Sequence, residues 1–214
     1  MLKFKSPSSI VISGPSQSGK TSLTFEMLKH ADGMFEKPPA KIMYAYKAWQ
    51  PIYEEMEQTV RNIEFLEGLP TKEDLKILSE QGDHTILILD DLLMEATQSL
   101  EILSLFTTFV HHYRISTILI LQNLFTNAKY MRCISLNTQY FLLFKTSRDK
   151  QQISTFARQV FANNSKYMIS AFEKAVSIPY NYLLVDLYPS ALECYQLRSR
   201  VLPGQNTIVY ASKS

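Results

Sequence analysis

The segment Gly14-Pro15-Ser16-Gln17-Ser18-Gly19-Lys20-Thr21 constrains this chain more than any other, because it fits G-x-x-x-x-G-K-[ST] at every fixed position. The pattern has a physical meaning at a strand-to-helix junction. Successive backbone N–H groups curl around phosphate oxygens there, and the N-terminus of the following helix adds partial positive charge. Gly14 and Gly19 permit the tight backbone path and the close approach of a ligand. In such a loop Lys20 reaches the β- and γ-phosphates, and the Thr21 hydroxyl completes a Mg²⁺ shell. The nucleotide-binding stretch is expected to comprise Gly14, Pro15, Ser16, Gln17, Ser18, Gly19, Lys20, Thr21 and Ser22, with ATP and Mg²⁺ as ligands. Average composition yields the pattern by chance in about one chain of this length in a hundred.

The surroundings supply the required context. SIVIS at 9–13 reads as a strand, and 21–31 places Leu23, Met27, Leu28 and Ala31 at helical spacing. Further apolar runs follow: KIMYAY at 41–46, TILIL at 85–89 and again at 117–121, YFLLF at 140–144 and YLLV at 182–185. Unbroken runs of this length suit parallel strands covered on both faces. Helical stripes lie between them, at 99–113 and at 149–161, the latter offering Ile153, Phe156, Ala157 and Val160. Alternating strands and helices imply crossover units and a mostly parallel sheet. No linker divides the chain, so residues 1–214 read as one domain. The tail from about 188 has no clear assignment beyond an edge strand within 192–200.

Two other strand ends carry polar residues. The run at 86–89 ends in Asp90-Asp91, 70 residues after Lys20. Ligands of open α/β sheets bind at the C-terminal strand edge. Asp90 is expected to hold Mg²⁺ together with Thr21. Asp91 stands where many P-loop ATPases carry glutamate, placed to orient or deprotonate an attacking water. Glu95, one turn further on, is the substitute base. The run at 117–121 ends in Gln122-Asn123, and Gln122 is placed to sense the γ-phosphate or the water. A strand between the phosphate loop and the acid strand gives the order of the ATPase branch with a central sensor strand. The expected fold is α/β, a P-loop NTPase (RecA/ASCE-like) with a mostly parallel central sheet and helices on both faces.

Composition excludes several classes. The 214 residues are 46% hydrophobic, which argues against disorder, and 22 basic residues oppose 20 acidic ones for a net charge of +2. That balance excludes a polybasic nucleic-acid coat or an acidic tail protein. Cys133 and Cys194, the two cysteines, cannot form a disulfide-rich scaffold and are expected to be small buried residues. No apolar run approaches the roughly 20 residues of a membrane helix. The expectation is a soluble intracellular protein, in the host cytoplasm or nucleus, with no membrane partner.

The ordered set of motifs resembles the genome-packaging ATPases of the FtsK–HerA class found in double-stranded DNA viruses and in Polinton/Maverick, adintovirus-like and poxvirus-type systems. The resemblance runs through the phosphate loop, Tyr46 with WQPIY at 49–53, LDDLLME at 89–95 and HHYRIS at 111–116. It continues through LQNLF at 121–125, RCISLN at 132–137, FKTSRD at 144–149, FARQ at 156–159 and YLLVDL at 182–187. Leu121 departs from the class, which has Thr before the sensor Gln. The resemblance implies a homo-oligomeric ring that hydrolyses ATP and drives double-stranded DNA into a preformed capsid, with a capsid or portal protein as partner. Such rings use an arginine from the neighbouring subunit. Arg132 and Arg148 are the candidates, and Arg158, on a helix, is a weaker one. A translocating ring grips phosphates rather than bases. Lys145, Arg148 and Lys150 form one basic loop, and Arg198 with Arg200 forms another.

Two other functional classes fit a phosphate loop. A small P-loop kinase would need an acceptor pocket and an Arg-rich lid, which the sequence lacks. A nucleotide-regulated assembly switch would turn over slowly without response to DNA. His111 and His112 are adjacent and point about 100° apart, so they cannot share one metal. Trp49 reads equally as a core anchor, a stacking residue or an interface plug.

Overall fold

Nine strands join in one sheet in the computed structural model, which describes residues 3–107, 113–124, 129–146 and 150–211. They are β1 (Ser9–Ser13), β2 (Lys41–Tyr46), β3 (Ile63–Glu67), β4 (Thr85–Asp90), β5 (Ile115–Leu121), β6 (Tyr140–Phe144), β7 (Tyr182–Asp186), β8 (Leu197–Ser199) and β9 (Ile208–Tyr210). Their spatial order is β3-β2-β4-β5-β1-β6-β7-β8-β9. The first six in that order pair in parallel, whereas β7, β8 and β9 are antiparallel additions.

The apolar runs split by parity, as side chains alternate across a strand. Ile10, Ile12, Tyr44, Ile86, Ile88, Ile118, Ile120 and Leu142 belong to one core. Val11, Ala45, Leu87, Leu89, Leu119, Leu121 and Phe141 belong to the other. Helices α1 (Lys20–Lys29), α2 (Ala31–Met34) and α3 (Pro51–Thr59) cover the first face with Leu23, Met27, Met34, Tyr53 and Met56. The second face takes α4 (Lys72–Ser79), α5 (Leu93–Ala96), α6 (Leu100–Thr107), α7 (Met131–Leu136), α8 (Lys150–Phe161) and α9 (Ser165–Ala175). Local chemistry sets their starts. Pro51 opens α3, where its missing N–H costs nothing. Thr71 and Asp74 close a reciprocal capping box on α4.

The expected α/β architecture, with a mostly parallel sheet covered on both faces, is the one observed. One strand direction differs from expectation. The run at 182–185 reads as another parallel strand, but β7 is antiparallel to β6, with Tyr182 opposite Phe144. A parallel crossover needs an odd number of passes across the sheet. Here two helices, α8 and α9, separate the strands, so the chain returns to the edge it left. In the tail, only Leu197–Ser199 of the 192–200 segment is strand, after a 3₁₀ turn at Glu193–Tyr195. No helix among the described residues is long and apolar enough to cross a membrane.

The tail also overturns the reading of Arg198 as part of a basic loop. Arg198 is buried in β8, and its guanidinium donates to Asp186 Oδ2 on β7 at 2.8 Å. Burial pushes the Asp186 carboxyl up, while a hydrogen bond from the Tyr188 backbone and the Arg198 charge pull it down. The cysteines differ from expectation too: Cys133 is half-buried and Cys194 exposed, because neither lies on a stripe facing the sheet. Arg198→Ala should strand the Asp186 carboxylate without its counter-ion and cost about 3–5 kcal/mol at neutral pH. Urea unfolding checks this, and an unchanged midpoint would show that the pair does not hold the tail.

Candidate active site

The phosphate loop is shaped by two close approaches. Gly14 follows β1, and a Cβ built there would lie 2.5 Å from Phe144 Cβ, so β6 leaves no space for a side chain. Gly19 has φ +99°, a left-handed conformation that glycine adopts without penalty, and it caps α1. The Gly14 N–H donates to the Leu121 carbonyl at 3.1 Å, tying the loop to the end of β5. Lys20 is buried and folds back into the loop, where its ammonium donates to the carbonyls of Gly14 at 2.7 Å and Pro15 at 2.8 Å. Burial lowers the affinity of Lys20 for its proton, against the opposing pull of Asp90 and Asp91. The Ser18 hydroxyl is buried without a hydrogen-bond partner among the described residues.

Asp90 ends β4 on the same parity as Ile86 and Ile88, which turns its carboxylate toward the α1 face. It is buried. Thr21 Oγ1 lies 3.5 Å from Asp90 Oδ2. Two tyrosines that the motif reading did not single out as site residues complete the surroundings. Tyr44 OH donates to Asp90 Oδ2 at 2.6 Å, and Tyr53 OH donates to the same oxygen at 3.0 Å. Tyr53 OH in turn accepts from Gln50 Nε2 at 3.0 Å. Tyr44 comes from β2 and Tyr53 from the first turn of α3. The signal for Tyr44 is a tyrosine at a buried strand position, where the hydroxyl demands a partner, and Tyr53 meets the same demand from a buried helix position. Burial raises the Asp90 pKa, and the hydrogen bonds from Tyr44 and then Tyr53 oppose that rise.

These tyrosines belong to an aromatic cluster. Tyr53 stacks on Phe65 at 5.4 Å between centroids, and Trp49 meets Tyr53 edge-on at 5.5 Å and Phe65 at 5.3 Å. Trp49 remains 45% exposed, so it is not a core anchor.

Asp91 has φ +57°, which twists the chain so that this second carboxylate is exposed. Gln122 Nε2 donates to Asp91 Oδ1 at 3.3 Å. Glu95 lies on α5 with its carboxylate held by Lys47 Nζ at 3.0 Å, and that hydrogen bond keeps it more acidic than usual. Arg132 is exposed on α7. Arg148 lies outside the described residues, as do His111 and His112. Thus Lys20, Thr21, Asp90, Asp91 and Gln122 meet at one sheet edge, whereas Glu95 is engaged elsewhere.

The donor set fits a hard divalent cation. Thr21 and Asp90 present oxygens side by side, and Asp90 Oδ1 makes no hydrogen bond among the described residues. No cluster of three or more His, Cys, Asp or Glu occurs among the described residues. The Thr21–Asp90 pair suits Mg²⁺, which takes one or two protein oxygens and completes its shell with phosphates and water.

No protein-family model and no curated protein matches the chain. Solved structures do. The genome packaging NTPase B204 from Sulfolobus turreted icosahedral virus 2, in complex with ATP-gammaS, aligns with a TM-score of 0.57 at 14% identity, covering 97% of this chain and 98% of that one. The same NTPase in complex with sulfate aligns with a TM-score of 0.55 at 13% identity. B204, the DNA-packaging ATPase from Sulfolobus Turreted Icosahedral Virus, aligns with a TM-score of 0.58 at 13% identity, covering 97% and 99%. At these identities the likeness establishes a shared P-loop NTPase fold over nearly the whole chain.

The Asp90 network generates a pH-dependent prediction. Asp90 has a raised pKa in the folded state, so its contribution favours folding at acid pH and is lost as pH rises through that pKa. Tyr44→Phe removes a donor that favours the charged form. Its cost should be about 1.5–3 kcal/mol at pH 7 and smaller near pH 4, where the carboxyl takes up a proton. Urea unfolding of both proteins at the two pH values tests this. Equal losses at both would show that the hydroxyl does not serve the carboxylate.

Proposed function

We propose that the chain is an ATP-hydrolysing motor that translocates double-stranded DNA, acting as a homo-oligomeric ring that packages a viral or virus-like genome into a preformed capsid. The observation that carries this reading is the convergence of Lys20, Thr21, Asp90, Asp91 and Gln122 on the loop edge of β1, β4 and β5. The fold likeness to packaging NTPases supports it, since the alignments cover 97% of this chain and 98% and 99% of those chains.

In this reading each residue has one task. The backbone N–H groups of residues 14–22 cradle the phosphates, and Lys20 exchanges its two loop carbonyls for phosphate oxygens. Thr21 and Asp90 hold Mg²⁺, which, when bound, neutralises charge on the phosphates. Asp91 orients and deprotonates the attacking water. Its exposure and its contact with Gln122 leave it free to do so, while Glu95 is committed to Lys47. Gln122 bridges base and γ-phosphate and so reports the nucleotide state to β5. Arg132 or Arg148 of a neighbouring subunit stabilises charge on the transferred phosphoryl group. Lys145 contributes to sequence-independent contacts with DNA phosphates, which salt would weaken.

The test is the ATPase rate with and without double-stranded DNA, alongside the mass in solution with ATP. A DNA-stimulated rate from an oligomer is expected. Asp91→Asn should retain ATP binding and lose on the order of 10²–10⁴ in rate. Lys20→Ala should lose nucleotide affinity. Turnover by a strict monomer with phosphoryl transfer to a small acceptor would replace the motor with a kinase, and slow turnover indifferent to DNA would replace it with a switch. For the trans arginine, activity should reappear when Arg148→Ala subunits are mixed with Asp91→Asn subunits. Mixtures inactive at every ratio would count against Arg148.

A further inference from the structure

A cleft of about 770 Å³ opens beside the phosphate loop, on the side away from Asp90 and Gln122. Gln17, Gly19 and Ser22 form its loop wall, and Tyr180, Arg200 and Gln205 face them. The opposing wall exists because β7 is antiparallel. The start of β7 lies at the phosphate-loop edge, and β8, running the other way, delivers Arg200 to the same edge. The Val201 N–H donates to Tyr182 OH at 3.3 Å and joins the two strand ends.

Three features set this cleft apart from a surface dent. Tyr180 is 75% exposed, yet its ring lies directly on the loop: a Cβ built on Gly19 would be 3.5 Å from Tyr180 Cδ1. Seven non-glycine residues have positive φ among the described residues, and three of them line this one cleft: Gln17 at 62°, Tyr180 at 60° and Arg200 at 57°. Such conformations persist only where the surrounding structure over-determines them, and they cluster at active sites and ligand clamps. Finally, neither the Tyr180 hydroxyl nor the Arg200 guanidinium has a hydrogen-bond or ion-pair partner among the described residues, so an aromatic face and a cation are both left open.

The topology gives the cleft a direction. Asp90 and Gln122 stand on β4 and β5, on one flank of β1. Tyr180 and Arg200 stand on the opposite flank, beyond β6. A triphosphate that lies in the loop with its terminal phosphate toward Asp90 carries its other end into the cleft. The volume is in the range of small-ligand sites, about 300–1,000 Å³. We propose that the cleft seats the nucleoside of a nucleoside 5′-triphosphate, with the Tyr180 ring stacked on the base and Arg200 and Gln205 at its polar rim. This rests on the phosphate-loop reading and adds the part of the ligand that the loop does not touch. Selection of a nucleotide over a bare polyphosphate is then the work of residues 180–205, far from the loop in sequence.

The experiment compares affinities for MgATP and for inorganic tripolyphosphate by isothermal titration, using the full chain. Tyr180→Gly removes the ring at a backbone conformation that glycine favours, so it relieves strain rather than adding it. It should weaken ATP by about tenfold or more, as expected for loss of a base stack. Its affinity for tripolyphosphate should stay within about twofold, because the loop is untouched, and this doubles as a check of folding. Tyr180→Phe should bind ATP nearly as wild type does. Unchanged ATP affinity in Tyr180→Gly, or equal losses for both ligands, would overturn the nucleoside seat alone. A wild-type protein that binds neither ligand would overturn the phosphate-loop reading and the seat with it.

Discussion

A carboxylate buried at the end of a central strand is costly unless hydrogen bonds replace its water, and Asp90 sets that requirement for half of the sheet. Its two donors come from different elements. Tyr44 is reached through the register that sets Tyr46 of β2 beside Asp90 of β4. Tyr53 is reached only if the chain turns at 47–50 and starts α3 at Pro51. Phe65 on β3 then packs against both rings. One ionisable group thus fixes how β2, α3 and β3 assemble on their side of the sheet. On the other side of β1 the constraint is steric, since Phe144 against Gly14 leaves no room for any residue but glycine.

Much of this was legible in the sequence because the signals were short-range. Six apolar runs marked six strands, and of the polar residues that end two of them, Asp90 faces Thr21 while Gln122 faces Asp91. What escaped depended on pairing or on mixed patterns. Strand β3 carries Glu64 and Glu67 on a half-exposed edge, which interrupts its apolar run. Helix α9 buries Met168, Ala171, Phe172 and Ala175, a spacing that a closer count of helical periods would have found. The direction of β7 could not be read, because an apolar run looks the same in a parallel and an antiparallel neighbour. Arg198 looked like surface charge because its partner, Asp186, is defined only once β7 and β8 pair.

Strain collects at the same edge. Asp91, Gln17, Tyr180 and Arg200 all hold left-handed backbones without being glycine. At about 1–3 kcal/mol each, such conformations need a rigid frame. The fully buried central strands β1, β4 and β5 provide one. Loop flexibility would let these residues relax, so a stiff sheet and a strained rim go together.

The position of the one tryptophan has a practical consequence. Trp49 is half in solvent and half against Tyr53, whose hydroxyl binds the carboxylate that faces Thr21. An indole in that position has an emission sensitive to how Tyr53 sits, and no second indole in the chain to obscure it. The molecule therefore carries a built-in optical reporter two contacts from Asp90, and events at that carboxylate can be followed in real time without attaching a dye.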